Sequence, residues 1–367
     1  MVTSQTTVLK ENKGSFYVPA LDGIRAISIL MVVISHVSER GGFKYGKMIP
    51  GGMGVTVFFF ISGYLITTLL FKELYKTNSI NFKAFFLRRI LRLYPPLLLM
   101  LAILLSYILI IGRPIPYTEV IASLFYYENY FMVYSAVKDK YFGVIWSLSI
   151  EEHFYLVWPV LFIFFNKSKN GFIALAVSLI IIPLVCRLYI TSHYDASKLS
   201  DLITYNLTHC RFDAIAFGCL SAILLNYSSK DIYFKFTQNY GSLVVAFVLL
   251  IISLTFRNEF FRQTYRYTLQ GIALFILLPG ILNPQNAVST AIKNALSGNI
   301  IVFIGKLSYS IYLFHWVAIQ VTPHLLPQKY LWLLVNIVIT IVLSLFSYLI
   351  IEKPLMKFKN NINALKA

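Results

Sequence analysis

Charge is scarce in this sequence. Asp, Glu, Lys and Arg make up 13% of its 367 residues, against about a quarter in an ordinary soluble domain, which excludes a water-soluble globule. Acidic residues are scarcer still, 15 against 32 Lys and Arg, for a net charge of +17. Cysteine is nearly absent. Cys186, Cys210 and Cys219 form an odd set without metal-ligand spacing, so they read as packing residues and no metal site is expected. No internal repeat, low-complexity tract or linker interrupts the chain, which therefore reads as one domain. Fifteen residues follow position 352, so no appended soluble domain is expected after the last span.

Apolar runs fill the chain instead. Hydrophobic residues reach 58% and the mean hydropathy is +0.71. Runs long enough to cross roughly 30 Å of hydrocarbon fall at residues 21–38, 53–71, 95–112, 146–165, 171–190, 212–226, 242–256, 267–282, 299–321 and 331–351. The expectation is an all-α polytopic membrane protein of about ten transmembrane helices. Its N-terminal tail is 1–20, its membrane domain 21–352 and its C-terminal tail 353–367. The first run carries Arg25 and His36 and lacks a small-residue cleavage site, so it reads as an uncleaved anchor. Residues 120–137 hold Glu128 and Asn129 inside an aromatic stretch and are expected to be re-entrant or interfacial.

The positive charge sits in short loops and in the tail, where anionic headgroups and the positive-inside rule explain it better than nucleic acid does. Lys72, Lys76, Lys83, Arg88, Arg89 and Arg92 share one loop with the same expected side as the tail, the cytoplasm. The segment NFKAFFLRRILRLYPP alternates basic and apolar residues before Pro95 and Pro96, so it is expected to lie along the cytoplasmic surface.

Ionisable groups inside spans cost about 2.5–3.5 kcal/mol each on insertion scales and usually mark a cavity. Arg25 and His36, eleven residues apart, return to nearly the same helix face about 16 Å apart. As a snorkelling arginine and an interfacial histidine they would be merely structural. In WSLSIEEHFYLVWP, Glu151 and Glu152 diverge by about 100°, so one is expected to hold His36 and the other a backbone or basic partner; solvated acids in an aromatic belt are the bland alternative. HCRFDAIAFG places Arg211 and Asp213 as a local ion pair or cap, and GKLSYSIYLFHW places Lys306, Ser308, Tyr309, Tyr312 and His315 on one span. The glycines of GGMGVTVFFFISGYLI suit close helix packing.

Taken in order, LDGIRAISILMVVISHV, FFFISGYLI, RRILRLYPP, WSLSIEEHFYLVWP, RFDAIAFG and GKLSYSIYLFHW resemble the acyltransferase-3 family of integral membrane acyltransferases, the O-antigen acetylase type. The resemblance covers nearly the whole chain and implies a ten-helix core in the inner (cytoplasmic) membrane. It implies transfer of an acyl group, often acetyl, from cytoplasmic acyl-CoA to a hydroxyl of a cell-envelope glycan such as lipopolysaccharide O-antigen. It also makes His36 the essential histidine and Arg25 its paired basic residue. Some relatives carry a further hydrolase-like domain that completes the transfer.

A histidine with an ordinary pKa of about 6.5 suits the removal of a hydroxyl proton during attack on a thioester. The expected catalytic set is thus His36 with Glu151 or Glu152. Arg25, Arg88, Arg89 and Arg92 are expected to hold the phosphates of the acyl-CoA donor, which is a substrate and not a resident cofactor. Arg211, Asp213, Tyr309 and His315 are secondary candidates, Arg211 and Tyr309 as donors to an oxyanion. Direct attack and a covalent acyl-histidine relay are not separable here. The expected partners are membrane lipids and a glycan or lipid-linked glycan acceptor. A transporter or flippase would use the same buried charges, without the paired repeats such proteins often carry. An acyltransferase for a small hydrophobic molecule is the remaining alternative.

Overall fold

The computed structural model describes residues 17–44, 48–135, 140–227, 230–322 and 328–356. All regular structure among them is helical. The long helices are α1 (Pro19–Arg40), α2 (Gly51–Thr77), α3 (Phe82–Ile110), α6 (Trp146–Phe165), α7 (Lys169–His193), α9 (Thr208–Asn226), α13 (Tyr265–Leu282) and α17 (Lys329–Phe346). Between α3 and α6 lie the short α4 (Tyr117–Leu124) and α5 (Glu128–Tyr134), and between α7 and α9 lies α8 (Lys198–Asn206). The other α-helices are α10 (Lys230–Thr237), α11 (Tyr240–Thr255), α12 (Glu259–Gln263), α14 (Ala287–Leu296), α15 (Asn299–Lys306) and α16 (Ser308–Val321), with a 3-10 turn at Gly143–Ile145 and a π-helical stretch at Ser347–Glu352.

Eight of the helices among the described residues are long and apolar enough to cross a membrane, and two bent pairs, α10 with α11 (66°) and α14 with α15 (60°), bring the number to as many as ten. The chain is a multi-pass membrane protein. Lipid acts as its solvent: Ile181, Ile182 and Val185 of α7 and Val338, Ile341 and Val342 of α17 face outward, because helices whose backbone groups bond internally can show aliphatic surface to hydrocarbon. The centre is built on backbone contact between α2 and α9. A Cβ on Gly63 would stand 2.0 Å from the Ile215 carbonyl oxygen, and one on Gly218 would stand 2.0 Å from that of Phe60. The glycines therefore do the packing work that the sequence suggests.

Two expectations about local structure are corrected. NFKAFFLRRILRLYPP is not a separate surface helix; it is the first half of α3, which continues through Pro95 and Pro96. Asn81 caps its start by accepting from the Ala84 amide at 2.9 Å, while Tyr309 donates to the Leu93 carbonyl at 2.7 Å just before the two prolines. The run 299–321 is not one helix, since α15 and α16 meet at Leu307.

The stretch expected to be non-spanning is α4 and α5, eight and seven residues long, each only about 12 Å or less at 1.5 Å per residue. Tyr126 turns the chain between them at φ 54°. Glu119 accepts from the Phe142 amide at 2.8 Å, Ser123 donates to Glu128 at 3.3 Å, and Asn129 donates to Thr208 at 2.9 Å. This hairpin carries the following chain inward, so α6 starts well inside the bundle. Its first residue, Trp146, packs edge-on against Phe59, 6.4 Å between centroids, about 12 Å along α2 from its start.

Candidate active site

Two cavities lie toward opposite ends of α1. The smaller, about 120 Å³, is lined by Arg25, Arg89, Arg92, Ser62, Glu151, Tyr155, Tyr309 and Tyr312 among others. The larger, about 510 Å³, is lined by His36, Glu39, Gly51, Gly52, Asp201, Tyr205, Arg257, Arg262, Arg266 and Tyr267 among others.

The smaller cavity collects three of the four arginines expected to bind the donor. Arg89 and Arg92 are three residues apart and share a face of α3. Arg25 comes from α1, with Asp22 one turn before it at 3.7 Å. The Arg89 guanidinium stands 5.3 Å from the centre of the Tyr155 ring, and its buried Nε has no partner. Arg88 is not among the lining residues: one position back from Arg89 it points about 100° away and pairs with Glu73 at 3.3 Å.

Glu151 belongs to this cavity too, and the partner of His36 is a histidine, which corrects the expectation that Glu151 or Glu152 holds His36. It accepts from Tyr155 at 3.0 Å, and the Tyr155 hydroxyl in turn lies 3.1 Å from Ser62. Glu152 leaves Oε1 buried without a partner and lies within electrostatic reach of Arg89. The depth assigned to both from the start of their helix is wrong because α6 begins inside the bundle. Tyr312 closes the cavity's far wall, donating to the Val144 carbonyl at 2.8 Å, with Ser147 2.5 Å from its hydroxyl.

His36 is held by a second histidine. Its Nδ1 lies 2.9 Å from Nε2 of His315, and the two rings are nearly coplanar, 14° apart with centroids at 5.2 Å, edge to edge. Trp316 stands edge-on to His36 at 5.7 Å. The other ring nitrogen of His315, Nδ1, is 3.0 Å from the Ile311 carbonyl. A carbonyl only accepts, so Nδ1 of neutral His315 carries the proton and its Nε2 is a bare acceptor. His36 must then donate from Nδ1, which leaves its Nε2 with a free lone pair on a residue that lines the larger cavity. Tyr312 links the cavities at this point, its ring centroid 5.7 Å from that of His315.

Arg211 and Asp213 do not pair with each other, a second correction. Positions two apart on a helix diverge by about 200°, and Asp213 takes Arg187 of α7 at 2.7 Å, both side chains fully buried. Arg187 also donates to Thr264, Cys210 and Thr268. Arg211, equally buried, donates to Thr56 at 3.2 Å, and its Nε and Nη1 have no hydrogen-bond partner among the described residues. Four rings surround its guanidinium: Tyr267 at 4.0 Å, Tyr205 at 5.1 Å, Phe59 at 5.7 Å and Trp146 at 6.0 Å. Cation–π attraction offsets part of the cost of this burial, but each unmet donor still costs about 1–3 kcal/mol. Phe59 faces the smaller cavity and Tyr205 and Tyr267 face the larger, so Arg211 sits in the partition. Sequence reasoning missed Arg187, Tyr155, Tyr205 and Tyr267; only Arg187, a lone cation in an apolar helix, carried a signal.

A basic pocket, a partition and a histidine with a bare nitrogen are what group transfer between two substrates needs. A family model described as an acyltransferase domain matches residues 18–352. The chain belongs to the acyltransferase-3 family. Among its relatives is a Staphylococcus aureus (strain COL) protein named "Putative O-acetyltransferase", 31% identical over 96% of this chain and 60% of the relative. Another is the peptidoglycan O-acetyltransferase OatA of Listeria monocytogenes, 28% identical over 93% of this chain and 56% of the relative. The chain thus spans little more than half the length of these curated relatives. No solved structure matches it. In this acyltransferase-3 chain, the motif residues Arg25 and His36 face different cavities of one helix, and His315 of the last motif meets His36.

Proposed function

We propose that this chain is an O-acyltransferase of the inner membrane that moves an acetyl group from acetyl-CoA, bound at the Arg25 cavity on the cytoplasmic side, to a hydroxyl of a cell-envelope glycan in the His36 cavity. The observation that carries this reading is the 2.9 Å contact of His36 Nδ1 with His315 Nε2, which fixes the ring of a residue lining the larger cavity beside Tyr312 of the arginine-lined one.

In this mechanism the phosphates of coenzyme A meet Arg25, Arg89 and Arg92, since guanidinium groups match phosphate oxygens two at a time. The pantetheine arm carries the thioester toward Tyr312. His36 Nε2 takes the proton of the acceptor hydroxyl as that oxygen attacks the thioester carbonyl carbon. The tetrahedral intermediate collapses by breaking the carbon–sulfur bond, and the proton on His36 passes to the departing thiolate, leaving the acetyl ester and free coenzyme A. His315 holds the ring in position throughout. The acceptor class follows the Listeria relative, whose name gives peptidoglycan.

The test is purified protein in lipid nanodiscs with labelled acetyl-CoA and isolated envelope glycan. Label should enter the glycan as an alkali-labile ester, and His36→Ala should lower its rate by about 10²-fold or more while the protein stays folded. Near-normal transfer in His36→Ala would overturn the assignment.

A further inference from the structure

Three guanidinium groups crowd the Tyr267 ring. Those of Arg211, Arg266 and Arg187 lie 4.0, 4.8 and 5.3 Å from its centre. Arg187 is neutralised by Asp213. Arg211 and Arg266 have no carboxylate within ion-pair distance among the described residues; Arg266 donates to the Tyr267 hydroxyl at 2.7 Å and leaves its buried Nε unmet. Arg211 adds two more unmet donors one ring behind the cavity wall.

Arg266 and Tyr267 line one wall of the larger cavity, with Arg257 and Arg262 beside them, and His36 and Glu39 also line it, from α1. Arg262 is already paired with Glu259 at 2.6 Å. Two acids also line the cavity, Glu39 on the histidine's helix and Asp201 of α8, the latter within electrostatic reach of Arg266 and Arg211 but not ion-paired with either. The α13 wall therefore keeps guanidinium donors that no carboxylate among the described residues takes up. Anchoring to lipid headgroups accounts for the exposed Arg257, but not for Arg211, which is fully buried, nor for the buried Nε of Arg266. Low-dielectric walls concentrate such a field within a cleft. At about 510 Å³ the cavity is in the usual range for small-ligand sites, about 300–1,000 Å³.

We propose that the acceptor is an acidic sugar whose carboxylate or phosphate binds Arg266, with Arg211 reinforcing the site from behind Tyr267, so that the sugar's hydroxyl is turned toward His36. This rests on the acyl-transfer reading for the identity of the cavity, and it adds the chemical class of the acceptor and its direction in the site. Arg266 binds the anion; Arg211 holds the charge of the wall.

The test uses the full chain in nanodiscs of phosphatidylcholine, whose headgroups carry no net charge, and three probes that share one ring: methyl β-glucoside, methyl β-glucuronoside and methyl β-glucoside 6-phosphate. Calorimetric titration of the unaltered protein should show at least tenfold tighter binding for one acidic probe than for the neutral one, and the better of the two identifies the anion. Arg266→Gln should reduce that preference below threefold without weakening the neutral probe, and Arg211→Gln should reduce it too, whereas Arg257→Gln should keep it. His36→Ala should also keep it, which separates this outcome from that of the transfer assay. Equal binding of the three probes by the unaltered protein, including no measurable binding of any, overturns the proposal whatever the variants do. A preference that survives in folded Arg266→Gln overturns it as well.

Discussion

His36 and His315 lie 279 residues apart in sequence, yet Nδ1 of one meets Nε2 of the other at 2.9 Å. The direction of that hydrogen bond is set at its far end, where His315 is tied to the Ile311 carbonyl. A general base of this kind contributes roughly 10²- to 10⁴-fold. His36→Ala is therefore expected to lower turnover by about that factor. His315→Ala leaves the base but frees its ring, so its loss should be smaller. His315→Gln should recover part of that loss, because the amide oxygen can still accept from His36. Steady-state turnover at saturating acetyl-CoA checks the order; a His315→Ala variant worse than His36→Ala would reverse the two roles.

The arginines of the RRILR segment separate by face. Replacing Arg25, Arg89 or Arg92 with Gln should raise the KM for acetyl-CoA before it lowers turnover. Arg88→Gln should leave that KM within about twofold, since it removes only a partly exposed ion pair with Glu73, of a kind worth about 0–1 kcal/mol. A KM that rises as much for Arg88→Gln as for Arg89→Gln would remove the cavity from the donor's path.

The helices were legible because each apolar run had to satisfy its own length. Their partnerships were not. Nothing local distinguishes His315 as the mate of His36, and the short spacing of Arg211 and Asp213 points to a pair that helix geometry forbids. The depth of Glu151 was misjudged because it depends on where α6 begins, which the hairpin of α4 and α5 decides through Glu119 and Phe142. Arg187 stood in view as a single cation within an apolar run, but its partner Asp213 appeared already spoken for.

The contact of α2 with α9 leaves no room for a methyl group at Gly218. Gly218→Ala should lower the unfolding temperature in detergent clearly, by at least the effect of the about 1–3 kcal/mol that overpacking typically costs. Gly143→Ala is the control, since its nearest added contact is an ordinary 3.7 Å to Met132. Equal stability of the two variants would show that the helices can part at no cost.

In the hairpin, burial and the neighbouring Glu119 push the Glu128 carboxyl from 4.5 to about 9. Folded Glu128 keeps its proton where the unfolded chain has lost it, so stability falls as pH rises from about 4.5 through about 9. Glu128→Gln, neutral throughout, should flatten that decline and unfold at a higher temperature than the unaltered protein at pH 8. Parallel melting curves for the two proteins between pH 5 and pH 9 would refute the protonated state.

Transfer between the two cavities has meaning only if they open to opposite sides of the membrane. The ends are defined by connectivity. Gly51 and Gly52 begin α2 at the His36 cavity, and Asp201 of α8 lines the same cavity, so Ser197, exposed just before α8, marks that end. At its other end α2 carries Glu73, which holds Arg88 of α3, and then the exposed Lys76. Lys72, Lys76, Lys83, Arg88, Arg89 and Arg92 gather there, and under the positive-inside rule the proposed orientation puts that end in the cytoplasm. In a chain freed of Cys186, Cys210 and Cys219, a cysteine at Ser197 should react in intact cells with an impermeant thiol reagent. A cysteine at Lys76 should react only after the membrane is opened. Labelling of both from outside would break the shared geometry of α2 and α8. The reverse pattern would turn the arginine cavity away from cytoplasmic acetyl-CoA, and the proposed direction of transfer would fall with it.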